Sequence, residues 1–508
     1  MARLGSYLPP VTPAADDVPR LLRLLETHRI GGVLLFHAHA DTVVDALDAV
    51  QGAARIPLLV AADVERGVGQ QVDGATEFPH ARALTETDDP EAAVSLLAKA
   101  TAREARACGI HWAFAPVADV NTCTENPIIG LRAFGETTDA VADHVRTYVR
   151  TAHTAGMATT AKHFPGHGRT PTDSHATLPT VEAAADALEA VDLPPFQAAI
   201  DAGVDAIMTA HVRYPALGAE TPATASRALL TERLRDAMGF DGLVVSDSLR
   251  MEGLTADIYP PHVLLDAGVD LLLDPPDAVA VIDDLVAAVE NGTLPEQRLR
   301  EACGRVLALK RTVRTRWGPK AFVPSHRDDP VGTASLRAEA NRRAADAIDV
   351  QVRDAAAWPL PPDDVQQGRD LMVVHVTPRD RSNGDSEPLP LEAHVREHYP
   401  AGTYHTVHAG TSHGEREALR EQGLRASHLV VVCSVVPAAW HAFGLPSEQQ
   451  ALVEEWIRAR PVVLAALGDP NGLAGLPQPA ATVCTYSDVP AAQRALVRAV
   501  AGKREAVR

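Results

Sequence analysis

Lysine is almost missing from this chain: five lysines stand against 42 arginines in 508 residues. Cysteine is as scarce. Cys108, Cys123, Cys303, Cys433 and Cys484 form no CxxC pair and no Cys/His cluster at zinc spacing. That pattern argues against a disulfide framework and a structural zinc, and for a reducing compartment. No run of about 18 apolar residues occurs, so no membrane-spanning helix is expected. The opening stretch MARLGSYLPPVTPAADD has no apolar h-region and no cleavage site, and the expectation is a cytoplasmic protein. Positive charge is also short. The formal net charge is −19 with a pI near 5.5, the opposite of the basic footprint that nucleic acid or an anionic membrane surface requires. The acidic, lysine-poor balance fits either a coding bias toward arginine or a surface adapted to salt.

What is present suits a large folded protein. At 46% hydrophobic and 22% charged residues, the chain can bury cores for two or three domains. Eight short apolar runs, at 4–8, 32–36, 58–63, 112–116, 159–163, 206–211, 243–247 and 270–274, alternate with amphipathic stretches such as 17–28, 90–108 and 138–156. Continuous apolar runs of this length are what parallel strands buried on both faces look like. Eight such units in one stretch predict a (β/α)8 TIM-type barrel over 1–317 rather than a doubly wound sheet. A helix at 295–318 closes this region. A Pro/Gly/Asp-rich linker at 318–336 follows, and a helix is expected at 335–350. Apolar runs at 371–376, 429–436, 462–467 and 481–486, separated in part by helical patterns at 411–425 and 446–460, then predict a smaller α/β layered-sheet domain over 337–508. It lacks a GxGxxG turn, so no dinucleotide cofactor is expected there.

The barrel runs end in polar groups: Asp63, Lys162 with His163, His211, Asp247 and Asp274, with Asp119 and Asn121 after the fourth. Barrel enzymes carry their chemistry at these strand ends, although an Asp after a strand can also cap a helix. The densest cluster is KHFPGHGRTPTDSH at 162–175. His163, His167, Asp173 and His175 could ligate a metal by type, but Lys162 places a fixed positive charge beside them. Acid/base work suits the cluster better: Asp173 can orient His175, whose ordinary pKa of about 6.5 fits proton transfer near neutrality. Asp247, closing an apolar run, suits a nucleophile, a general base or a metal ligand, or else an N-cap. Asp63 and Arg132 suit charge-assisted hydrogen bonds to sugar hydroxyls, with an ion pair to a rim carboxylate as the alternative for Arg132.

These motifs resemble glycoside hydrolase family 3, in its β-N-acetylglucosaminidase (NagZ-like) branch. KHFPGHGRTPTDSH resembles the signature loop. FAPVADVN (114–121), IIGLRAFG (128–135), IMTAHVRYP (207–215), LVVSDSLRMEG (243–253) and AGVDLLLDP (267–275) occur in the family's order, so the resemblance covers most of 1–320. It implies a retaining exo-β-N-acetylglucosaminidase acting on peptidoglycan- or chitin-derived fragments. Asp247 would be the nucleophile, His175 the acid/base and Asp173 its orienting partner. Asp63, Arg132, Lys162 and His163 would contact the sugar, and His211 would line the pocket, with no metal and no cofactor. A phosphorylase, a broad β-glucosidase and a non-catalytic sugar-binding protein are the alternatives. Two departures stand out. Many members read D-x-E-G-G-R where this chain reads Asp63-Val64-Glu65-Arg66-Gly67-Val68, and the short members of the branch lack a second domain.

Overall fold

The apolar runs of the first region form eight parallel strands: β1 (Ala2–Leu4), β2 (Gly32–Leu35), β3 (Leu59–Ala62), β4 (Trp112–Ala113), β5 (Ala158–Phe164), β6 (Ala206–Thr209), β7 (Leu243–Ser248) and β8 (Leu271–Leu273). They pair side by side in chain order. The two outer strands are tied together, with Met1 N donating to Leu272 O at 2.8 Å and Asp274 N donating to Met1 O at 2.9 Å. The expected barrel is therefore present. The computed structural model describes residues 1–174, 176–254, 258–322, 330–355, 357–358, 360, 371–378, 390–436 and 443–502.

Every residue of β2, β3, β5, β6 and β8 is buried. Alternate residues, among them Leu59, Ala61, Ala206, Met208, Leu243 and Val245, meet in one interior cluster, as the two-residue period of a strand requires. Helices α1 (Ala14–Thr27), α2 (Val43–Ala53), α3 (Pro90–Cys108), α4 (Thr138–Thr154), α5 (Pro194–Asp201), α6 (Pro261–Ala267), α7 (Ala278–Glu290) and α8 (Glu296–Trp317) fall between and after the strands. At the N-terminal end of β8, buried Asp270 accepts from Arg235, Arg298 and Arg305 at 2.6, 3.0 and 3.1 Å.

Two local expectations are corrected. The first strand ends at Leu4, where its ladder with β2 stops, and is not 4–8. Beyond it Ser6 turns to bridge Thr12 antiparallel, around the prolines at 9 and 10 that cannot donate to a ladder. The start of the 318–336 segment is not a free linker: Ala321 O lies 3.0 Å from His111 Nε2, and Phe322 packs on the barrel cluster. Residues 323–329 of that segment lie outside the described residues.

Close Cα approaches divide the chain into Met1–Glu77 with Glu91–Leu336, and Phe78–Pro90 with Arg337–Arg508. The excursion Phe78–Pro90, placed within 1–317 by the sequence, thus belongs with the second unit, where His80 Nδ1 lies 2.9 Å from Ser487 Oγ. That unit is a six-stranded sheet: β9 (Asp349–Val352), β10 (Leu371–Val376), β11 (Thr403–Val407), β12 (His428–Val435), β13 (Val463–Gly468) and β14 (Ala481–Cys484), in the order β9-β14-β13-β12-β10-β11. Only β9 runs antiparallel. Apolar clusters cover both faces, the layered arrangement expected. The helix placed at 335–350 ends at Asp346 and gives way to β9. The edge strands β9 and β11 are the two that the apolar runs did not reveal.

Candidate active site

The C-terminal ends of β3 and β5 meet in a compact charge cluster. Asp63 follows β3, and Glu65 stands two residues on. Lys162 Nζ lies 2.7 Å from Asp63 Oδ1 and 2.7 Å from Glu65 Oε1. Arg132, on the single turn Gly130–Arg132, grips Glu65 with Nε at 3.0 Å and Nη2 at 2.8 Å. Two cations thus balance two carboxylates. Lys162 is buried, whereas the Asp63 side chain keeps 27% of its surface open. Burial alone would push the Glu65 carboxyl up, but the Arg132 guanidinium and the Lys162 ammonium hold it well below the usual range. Burial alone would lower Lys162; Asp63 and Glu65 outweigh it and raise it. One compact ammonium serves both carboxylates here, with a geometry that differs from the planar fork of a guanidinium.

Beside this cluster, Asp119 organises the loop after β5. Fully buried, it accepts from His163 Nδ1 at 2.8 Å, His163 N at 3.1 Å and His167 N at 2.7 Å. His163 Nε2 is then left 3.4 Å from Arg132 Nη2. The Lys162–His163 and Phe164–Pro165 peptide bonds are cis. Gly168 lies so close to the segment after β4 that a Cβ there would stand 1.8 Å from Val120 O. Burial, then the neighbouring His163, lowers the His167 pKa to about 4, against the weaker pull of the Asp119 and Asp247 carboxylates. His167 is therefore a neutral ring near neutral pH, and it ties the loop to itself: Nε2 lies 2.8 Å from Ser174 Oγ and Nδ1 2.9 Å from Thr170 Oγ1. Asp173, just before Ser174, is buried. His175 lies outside the described residues.

Asp247 is the fifth residue of β7 and partly exposed, with Oδ1 accepting from Ser248 N at 2.8 Å. Among the described residues no helix starts beside it, and α6 begins only at Pro261, so the N-cap alternative is not realised. The turn after β7 packs against the 173–177 loop: a Cβ on Gly253 would lie 2.8 Å from both Ser174 O and Thr177 O. His211 is buried, with Nδ1 2.7 Å from Thr224 Oγ1 and Nε2 3.2 Å from Ser248 O, next to Asp247. Asp274, the last of the strand-end carboxylates, is engaged by Arg3, Arg250 and Ser248 Oγ. Among the described residues no group of three or more His, Cys, Asp or Glu side chains is placed to hold a metal ion.

Asp63, Lys162, Arg132 and His163 therefore come together, and Asp247 comes within electrostatic reach of His167 and the loop bearing Asp173. The sequence does not single out Glu65, and it marks Asp119 only as a polar strand-end residue and His167 only as a metal-ligand type, not as the loop's anchor and its internal tie. Their signal was position, since Glu65 and Asp119 each follow a strand end by a few residues.

The profile of the glycosyl hydrolase family 3 N-terminal domain matches residues 15–309, more than half of the chain. The chain belongs to glycosyl hydrolase family 3. This family 3 chain is 37% identical over 300 residues to a beta-N-acetylglucosaminidase/beta-glucosidase of Cellulomonas fimi, covering 55% of this chain and 52% of that protein. It thus spans about half the length of that relative. It is 39% identical over 298 residues to a beta-hexosaminidase of Stenotrophomonas maltophilia (strain R551-3), covering 55% of this chain and 86% of that protein. Among solved structures, a glycoside hydrolase family 3 beta-N-acetylglucosaminidase from Paenibacillus sp. str. FPU-7 superposes with a TM-score of 0.83 and 30% identity, over 99% of this chain and 95% of that one.

Proposed function

We propose that this family 3 chain is a retaining exo-β-N-acetylglucosaminidase that releases terminal β-linked N-acetylglucosamine from peptidoglycan- or chitin-derived fragments. In the first step an Asp247 carboxylate oxygen bonds to the anomeric carbon. The bond to the aglycone oxygen breaks, and the His175 imidazolium delivers its proton to that departing oxygen. In the second, water attacks the anomeric carbon as neutral His175 takes its proton, and Asp247 is released. A histidine thus takes the place of the second carboxylate of the usual glycosidase pair. Asp173 orients the imidazole and favours its protonated form before the first step. Asp63 and Lys162 hold sugar hydroxyls by charge-assisted hydrogen bonds, Arg132 and His163 flank them, and His211 forms the wall beside Asp247.

The observation that carries this reading is the convergence on the 173–177 loop. The turn that follows Asp247 at the end of β7 packs on this loop at Gly253, and His167 bonds Ser174 between Asp173 and His175. The names of the Cellulomonas and Stenotrophomonas relatives point to the same chemistry. Five free cysteines support a cytoplasmic setting. The test is turnover of an aryl β-N-acetylglucosaminide against the matching β-glucoside, each with and without inorganic phosphate. Faster cleavage of the N-acetyl substrate to free sugar, indifferent to phosphate, is expected. Preference for the glucoside would make it a β-glucosidase, and a sugar 1-phosphate product would make it a phosphorylase.

A further inference from the structure

One buried carboxylate beneath the loop after β5 has no part in the scheme above. Asp192 ends the short π-helical turn Leu188–Asp192, which leads into α5. Its side chain is fully buried, and Oδ2 accepts from Arg169 Nε at 2.6 Å. Oδ1 is buried and has no hydrogen-bond partner among the described residues. Arg169 belongs to the loop, six residues after His163 and four before Asp173, and its Nη2 also reaches Ala187 O at 3.3 Å. The loop presses on Asp192 from a second side, because a Cβ on Gly166 would stand 2.8 Å from Asp192 Cβ. Tyr214 OH donates to Gly166 O at 2.8 Å and closes that side.

We propose that Arg169 and Asp192 are positioning residues, a buried clamp that fixes the loop so that Asp173 and His175 are presented to the glycosidic oxygen. This rests on the acid/base role given to His175. Leaving one oxygen of a buried carboxylate unpaired is costly, and the cost is offset here by a single guanidinium from the loop. The clamp is consequently sensitive to protons. Burial raises the Asp192 carboxyl to about 6, with Arg169 opposing the rise and the Asp119 carboxylate adding to it. Those two charges, and the Tyr214 hydroxyl, are the titratable groups that face it from the loop, the β4 end and the segment after β6. Below that pH Asp192 is neutral and its grip on Arg169 weakens, while the Asp63–Lys162–Glu65–Arg132 cluster, whose Glu65 stays ionised, is unaffected.

The experiment compares wild type, Asp192→Asn and Arg169→Gln. Each is first shown to melt cooperatively, and each is then followed by kcat, KM and the pH dependence of kcat on an aryl β-N-acetylglucosaminide. Loss of loop placement is expected to lower kcat by roughly tenfold with KM nearly unchanged, since misplacement of about 1 Å costs up to ~100-fold. The acid limb of wild type should be steeper than first order near pH 6 and fall to first order in Asp192→Asn. Amide hydrogen exchange of peptides spanning 165–177 reads the clamp without any substrate. With rates corrected for the pH dependence of intrinsic amide exchange, lower protection is expected in both variants at pH 7.5, and in wild type at pH 5.5 than at pH 7.5. If wild type exchanges in this way but cleaves no N-acetylglucosaminide, the proposed activity fails and the clamp stands. If both variants keep wild-type kcat, acid-limb slope and exchange, the clamp is refuted.

Discussion

In the barrel the strands run out onto Asp63, Lys162, His163 and Asp247; in the second sheet they run out mainly onto hydroxyls and imidazoles, with one buried carboxylate, Asp469, after β13. There His375, one residue from the end of β10, lies 2.6 Å from Ser434 Oγ and 3.0 Å from Tyr404 OH. Thr485 Oγ1, after β14, donates to Ser487 O at 2.6 Å and accepts from Gly468 N at 3.1 Å. Both sheets are built from the same buried, Val/Leu/Ala-rich parallel strands. The fold therefore does not separate the two regions; the charge placed at the strand ends does. Ionised groups at a desolvated rim are expensive unless paired. The barrel meets that expense with a balanced cluster of cations and carboxylates, and the second sheet places hydroxyls and His375 there, with a single carboxylate, Asp469, that caps the turn after β13.

Substitutions can break or sharpen this contrast. The largest effect on turnover is expected at the nucleophile: Asp247→Asn should lower kcat by at least ~10⁴-fold with little change in melting temperature, measured by steady-state kinetics and calorimetry. Next comes the loop's close approach. Gly168→Ala puts a methyl group where Val120 O now sits, and should cost about 100-fold in kcat and roughly 2–4 kcal/mol of stability. Glu65→Gln leaves Arg132 and Lys162 facing only Asp63. It should raise KM about tenfold and destabilise by about 3–5 kcal/mol at pH 7. The sign with pH is set by the depressed Glu65 carboxyl: its contribution is complete above the unfolded value of about 4.3 and is lost as pH falls through the folded one. The melting gap between wild type and Glu65→Gln should therefore hold from pH 8 to 5 and close only in stronger acid. Smallest for turnover is His375→Ala, expected to cost about 1–3 kcal/mol and leave kcat unchanged. A large loss of kcat there would mean that the second unit takes part in the chemistry.

Much of the barrel could be read from the chain because strands buried on both faces declare themselves as unbroken apolar runs. The second sheet was legible for the same reason at β10, β12, β13 and β14. Its edge strands were not: Thr403–Val407 carries Tyr404, His405 and Thr406 half-exposed, and Asp349–Val352 alternates polar and apolar residues. Neither makes a run. In the site, Asp63, Lys162 and His163 stood out because they close strands. Glu65 did not, and Asp119 showed only as a polar residue after the fourth run, since their importance lies in what they hold across the fold, 67 residues away at Arg132 and 44 at His163. Asp192 was invisible for the same reason, an aspartate before two prolines whose partner, Arg169, lies in another loop.

The central claim is that Asp247 becomes covalently joined to the sugar. A 5-fluoro-N-acetylglucosaminyl donor slows release of such an intermediate, and proteolysis followed by peptide mass mapping locates it. A single glycosylated peptide carrying the sugar on Asp247 is the expected result. Label on any other residue, or turnover with no covalent species while the donor is consumed, would contradict it.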